Sequence, residues 1–307
     1  MKVSKVFDSG SKKGSSNSLI GRNGLIRLEI AIDSTASNTV AFHPTTTTNS
    51  KNESKTFIKS LKSRAPLLVQ KALYSNSSFP SMAYIYMMSS AGGVLQGDKY
   101  EIEILAHDKT CSHITTQAAT KIYKMESGYA SQKINVSLED RGYLEFLPEQ
   151  IIPYRSSRFY QEVNLKIGSN STIIYSETIA AGRVASGEIF NFDTCFLRTR
   201  CYDKNDNIIF IDSTNIEPSM HTREEFDLLF DKKTIWSTIY IITNSIEYQK
   251  IDHKIDKAIK DNQISHTGFS ALPNEGGVVV RILSNSNDKI KSLTGCIVNT
   301  IRTLALN

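Results

Sequence analysis

The chain has 307 residues, 40% of them hydrophobic and 22% charged, the composition of a globular protein long enough for one large domain or two small ones. Its net charge of +5 is spread along the chain, which excludes the clustered basic footprint of a nucleic-acid binder. No run approaches 18 apolar residues, and the N-terminal MKVSKVFDSGSKKGSSNS has no apolar signal core, so the expectation is a cytoplasmic protein without a membrane span.

Residues 1–19 are rich in Ser, Lys and Gly and read as a mobile tail. Leu25 to Ile30 form a first strand apolar enough to be buried on both faces. Residues 45–56, TTTTNSKNESKT, read as an exposed loop, followed by the block APLLVQKALY at 65–74. Tyr84 to Met88 is an apolar strand that runs into SAGGVLQGD, where Gly92, Gly93 and Gly97 supply turn chemistry and a backbone that can lie close to another. Tyr100, Ile102 and Ile104 then alternate with Lys99, Glu101 and Glu103, and TTQAATKIY follows after the turn at His107 to Lys109. Further strands are expected around Ile134 to Leu138, Tyr143 to Leu147, Ile151–Ile152, Val163 to Ile167, Ile173 to Tyr175, Ile189 to Leu197 and Ile208 to Ile211. Strands this regular, with almost no helical period, point to an extended β architecture: a sandwich, a barrel or a stacked coil of strands.

The pattern changes near residue 216. Thr222 to Glu225 is a capping box that opens a short helix through Phe230. Ile239 to Ile242 reads as a strand, Ile251 to Ile259 as a helical face, and Val278 to Val280 as a strand after Gly276–Gly277. Ile290, Leu293, Ile297, Ile301 and Leu304 then recur every three or four residues, a final amphipathic helix. The expected division is a β-rich body over 20–215 with a strand and helix segment over 216–307 packed on it.

Three blocks in order, GGVLQGD with TTQAATKIY, LEFLPEQIIPYRSSRFYQ at 144–161 and ETIAAGRVASGEIF at 177–190, resemble the UreD family, also called UreH, of urease accessory proteins. The resemblance implies a mainly β fold, an extended right-handed β-helix-like stack of sheets with two or three helices. It implies a non-catalytic scaffold that works with UreF and UreG on apo-urease, in a complex that can be dimeric, and passes nickel through an internal tunnel without binding it tightly. GTP hydrolysis would belong to UreG. Matching the motifs residue by residue makes Asp98, Thr115, Thr116, Gln117 and Glu177 the candidates for the nickel path. Gln96 departs from the pattern, standing where that motif often has a small residue, and the 45–56 loop is longer than the pattern needs.

The residues themselves exclude most enzyme chemistry. Gly182 to Glu188 has glycine spacing but lacks the Lys-Ser/Thr of a phosphate loop, Ser186 has no nucleophile elbow, and HExxH is absent. The four cysteines, Cys111, Cys195, Cys201 and Cys296, show no CxxC spacing, which argues against a zinc ribbon or a disulfide framework. Cys111 and His113 are two apart on one strand and face one side, as a pair of soft ligands or as a small buried thiol beside a turn-end imidazole. Buried carboxylates among Asp98, Glu145, Glu149, Glu177 and Glu188 need partners, for which Arg155, Arg158 and Arg183 are available. Tyr154, Phe159 and Tyr160 beside Arg155 and Arg158 have the composition of an interface hot spot. A carbohydrate-active β-solenoid and a structural β protein with no metal role are the alternatives, one calling for clustered carboxylates and aromatic platforms, the other for indifference to UreF and nickel.

Overall fold

The computed structural model describes residues 21–33, 54–262 and 266–306. The expected 1–19 tail and most of the 45–56 loop lie outside the described residues. The molecule is mainly β, with 47% of it in strands and three helices, and its strands stack as a β-solenoid of about four turns.

Two sheets face each other. The first contains β1 (Asn23–Ile32), β2 (Thr56–Arg64), β5 (Lys99–Ala106), β8 (Ala130–Leu138), β11 (Arg158–Ile167), β13 (Thr194–Tyr202) and β14 (Ile208–Ile216). The second is built on β3 (Leu67–Val69), β4 (Ala83–Ser89), β6 (Cys111–Thr116), β9 (Tyr143–Leu147), β12 (Thr172–Ala180), β15 (Ile235–Thr243), β16 (Thr267–Ala271) and β17 (Gly277–Ser284). Two three-residue strands, β7 (Thr120–Ile122) and β10 (Ile151–Pro153), pair with each other beside β12. From β4 to β13 the chain crosses from one sheet to the other and back. Successive turns therefore pair in parallel, as β5 with β8, β8 with β11 and β11 with β13.

Alternation decides what each strand presents. Ile102, Ile104, Ile134, Val136, Val163 and Leu165 point inward from the first sheet and meet Ile114, Phe146, Ile173 and Tyr175 from the second, forming the main core. The second sheet is buried on its other face as well, so β12 and β15 are buried at all nine positions each. That outer face is covered by α2 (Tyr248–Asn262) and α3 (Asn287–Leu306), whose Ile251, Ile255, Ile290, Leu293, Ile297 and Ile301 make a second core against Ile174, Ile239 and Ile241. The expected final helix is thus present, with the face its period indicated buried from Ile290 to Ile301 and half-buried at Leu304.

Some boundaries differ from expectation. Residues 189–193 are not strand; Phe190 sits at a φ of 53° and the strand begins at Thr194. β2 was not expected at all, because its TFIKSLKSR is exposed along most of its length and carries little apolar alternation. The C-terminal segment does not merely pack on the body: β15 pairs antiparallel with β12, and β17 and β16 prolong the same sheet. The capping-box helix is as expected. In α1 (Arg223–Phe230) Thr222 accepts from the Glu225 amide, and Glu225 accepts from the Thr222 amide.

Candidate functional site

Between the two sheets the apolar packing gives way to a cavity of about 300 Å³. The first sheet lines it with Tyr100, Gln132 and Gln161, inward positions of three successive turns, and the second with Thr116, Tyr175 and Glu177. The 91–93 loop, residues 117–119 with the start of β7, and the Pro148–Glu149 corner close the rest. Gln117 both lines the cavity and is exposed, so the space reaches the surface beside it.

Glycine makes the loop closure possible. A Cβ on Gly93 would stand 2.7 Å from the Lys121 carbonyl oxygen and against the Tyr123 ring. With no side chain there, the Val94 amide donates to that carbonyl at 2.8 Å and the Tyr123 amide to Val94 at 2.9 Å. The unusual Gln96 ties the same loop to the next turn, its Oε1 accepting from the amides of Glu126 at 3.0 Å and Ser127 at 2.8 Å.

Inside, Gln161 Nε2 donates to the Tyr175 hydroxyl at 3.5 Å, and that hydroxyl donates to Glu177 Oε2 at 3.2 Å. Burial in this setting pushes Glu177 up to about 7; the Tyr175 hydrogen bond pulls the other way, and the nearby Asp212 carboxylate adds to the rise. Asp212 itself accepts from the Tyr240 hydroxyl at 2.9 Å and pairs with Arg281 at 2.5 Å.

The expected path residues divide. Thr116, Gln117 and Glu177 come together around the cavity. Thr115, the neighbour of Thr116, points to the opposite face of β6, donates to the Leu147 carbonyl at 2.6 Å and lines a separate space of about 200 Å³ under α3. Asp98 does not line the cavity. It is buried at the start of β5, accepting from the Arg22 side chain and amide, the Leu95 amide at 2.8 Å and the Tyr100 hydroxyl at 3.1 Å. Burial opposes its charge, but the Arg22 hydrogen bond and those amides together hold it below the usual carboxylate range. It fastens the glycine loop to the first strand.

Cys111 and His113 do face one side, the side under α3. There Glu145, fully buried, accepts from Arg302 Nε at 2.7 Å, Arg302 Nη2 at 2.8 Å and the Tyr143 hydroxyl at 2.7 Å, and pairs with His113 Nδ1 at 2.6 Å. Burial disfavours its charge, yet His113 and Arg302 keep it below the ordinary value. The Cys111 thiol is pushed up to about 12 by burial. Among the described residues no three His, Cys, Asp or Glu side chains gather to hold a metal ion.

The expected arginine partners need correction. Asp98 meets Arg22 and Glu145 meets Arg302, both remote in sequence, while Glu149 pairs with Lys291 of α3 at 2.6 Å. Arg183 does pair with Glu188, and Arg158 pairs with Asp193 at 2.6 Å. Of the expected interface residues, Phe159 is corrected to a core position, wholly buried because it points inward from β11. Tyr154 packs between the Tyr123 ring and the Arg183 guanidinium, and Tyr160 packs on Tyr129 and Phe196, both partly exposed, as is Arg158; Arg155 is exposed. Gln132, Gln161 and Tyr175 were missed, although a polar residue at an inward position of an alternating strand is a signal that sequence does carry.

A β-solenoid covered by helices on one side, with its polar groups gathered between the sheets, is the class that fold and cavity define. The chain belongs to the UreD urease accessory protein family, whose model matches residues 45–307. It is 36% identical over 241 residues to the urease accessory protein UreD of Cenarchaeum symbiosum, covering 78% of this chain and 84% of that protein. It is 30% identical over 240 residues to UreD 2 of Brucella canis (78% and 79% covered) and 29% identical over 240 residues to UreD of Photorhabdus laumondii (78% and 74%). Among the described residues no helix is long and apolar enough to cross a membrane.

Proposed function

We propose that the chain is a non-catalytic urease maturation factor of the cytoplasm, acting with UreF and UreG on apo-urease, and that the cavity is part of the route by which nickel reaches the enzyme. The observation that carries this reading is the convergence of the neighbours Thr116 and Gln117 with Glu177, remote from them in sequence, on one space between the sheets. Nickel is cargo here. Oxygen donors from hydroxyl, amide and carboxyl groups can replace part of an ion's water shell, and a route needs weak sites in series rather than one tight site. Glu177 supplies the charge; it makes no ion pair among the described residues, and the nearby Arg281 is taken up by Asp212, which leaves Glu177 open to a passing cation. On this reading Thr115 and Asp98 support the route from outside it. The partly exposed Tyr154, Arg158 and Tyr160, with Arg155, are retained as a proposed contact surface.

The test is co-expression of the urease subunits and the other accessory proteins with wild-type chain, with no chain, and with Glu177→Gln or Thr116→Val. The expected result is nickel-poor, weakly active urease without the chain and in both variants, each variant remaining folded. Full urease activity without the chain would sink the maturation role. Full activity in both variants would sink the route alone.

A further inference from the structure

Large apolar side chains that are more than half exposed are confined to one stretch among the described residues: Ile208 (58%), Ile211 (54%), Met220 (72%), Leu228 (85%) and Leu229 (62%). They are carried by β14, the turn at Pro218–Met220 and α1, which follow one another at the far end of the first sheet. Single exposed leucines are ordinary on a protein surface; Ile208 and Ile211 stand at the end of β14 that pairs with Arg200 to Tyr202, whereas Met220, Leu228 and Leu229 fall together within ten positions beyond its other end.

The helix is apolar on two sides. Phe226 and Phe230, one turn apart, pack inward, with ring centroids 4.4 Å from Phe190 to Phe226 and 5.2 Å from Phe230 to Trp236. Leu228 and Leu229 stand in solvent. Exposed Glu224 and Glu225 share the outer side with them, so the two leucines stand as apolar groups among carboxylates. Nor is α1 a frayed tip: its capping box is closed, and Phe190 is held at a φ of 53° beneath it, a left-handed conformation that a bulky residue adopts only under constraint.

The two edges of the first sheet differ in the same sense. β2 ends it at one side with Lys59, Lys62 and Arg64, charges that repel a further strand. β14 ends it at the other with IIFIDSTNI, which has no lysine, arginine or proline. The sign of charge narrows the occupant. From Ile208 to Phe230 there are five carboxylates against one arginine, a net charge of −4 in a chain of net +5. A second copy meeting this surface across a two-fold axis would bring like charge against like, which disfavours it.

We propose that the outer face of α1 with the adjoining Met220 turn is a docking surface for a protein partner that presents apolar side chains among lysines and arginines. Apolar burial of Leu228, Leu229 and Met220 supplies the affinity, and the acidic surround supplies orientation and a salt-sensitive association rate. The proposal rests on the functional reading above only for which protein the partner is.

The experiment uses the full chain and a Leu228→Ser/Leu229→Ser variant, whose changes are in solvent and whose melting temperature, measured alongside, is expected to stay within a few degrees of wild type. Separately purified UreF, UreG and apo-urease, and a lysine-flanked amphipathic helical peptide with its scrambled control, are passed over each. The expected result is that the peptide and one of the three proteins bind the wild-type chain, that the variant weakens both by roughly tenfold or more, and that added salt weakens wild-type binding. Equal binding to wild type and variant would overturn the proposal, as would a peptide that binds no better than its scramble. So would a wild-type dimer in light scattering that the variant turns into a monomer. If the peptide behaves as expected and none of the three proteins binds, the docking surface stands and the partnership with UreF, UreG and urease fails.

Discussion

Glu177 differs from the other buried carboxylates in what faces it. Asp98, Glu145 and Glu162 each meet an arginine, whereas Glu177 meets the hydroxyl of Tyr175 and makes no ion pair among the described residues. Its pKa rises from an ordinary 4.5 to about 7, so between those values the folded chain holds a proton there that the unfolded chain has released. Stability therefore falls as pH rises through this window, since the state that binds more protons loses ground. Glu177→Gln should be more stable than wild type near about pH 8, by at most roughly 3 kcal/mol, and nearly equal to it near about pH 4.5. Urea melts at both pH values check this, and an equal difference at both would contradict it.

At the scale of elements, α3 is held by an apolar face and by one buried charge pair 157 residues apart. Removing Arg302 leaves the Glu145 carboxylate buried with only His113 and Tyr143 to answer it. Arg302→Met should cost about 3–5 kcal/mol, and adding Glu145→Gln should recover a large part of it. Denaturant melts measure the cost, and faster amide exchange along α3 in the single variant locates it. A loss below about 1 kcal/mol would mean that the apolar face alone fixes the helix.

For the whole molecule, the solenoid turns place one inward side chain from each layer along a common interior, which is how residues from 100 to 177 come to share a cavity. Its surface end is at Gln117, whose side chain is exposed while its amide holds the Met87 carbonyl at 2.9 Å. Gln117→Trp should fill that end without disturbing the fold, changing stability by no more than about 0.5 kcal/mol. Urease activation should fall in Gln117→Trp and persist in Gln117→Ala, as read by co-expression with the urease subunits. Equal activation in both would show that nothing needs to pass there.

Strand period, the capping box and the spacing of the final helix were legible because each rests on neighbours in the chain: alternation over Tyr100 to Ile104, Thr222 with Glu225, Ile290 to Ile301. The glycine loop was legible too, since Gly93 has a local reason, the absence of a Cβ where a backbone must come close. β2 was not, because an exposed edge strand needs no apolar pattern. The residue pattern determined that strands would recur along the chain with a handful of polar residues among them, and the resemblance, not the period, pointed to a stack rather than a sandwich or a barrel. Only the tertiary structure decided which of those residues meet. Parity on β6 turns Thr116 inward and Thr115 outward, a difference of one residue that motif matching does not resolve. Charge partners are likewise long-range. Arg22 and Arg302, near the two ends of the chain, answer Asp98 and Glu145, and no local spacing announces such pairs. Burial of a carboxylate is written in the strand around it, but its partner is chosen by the packing of elements that the chain brings together last.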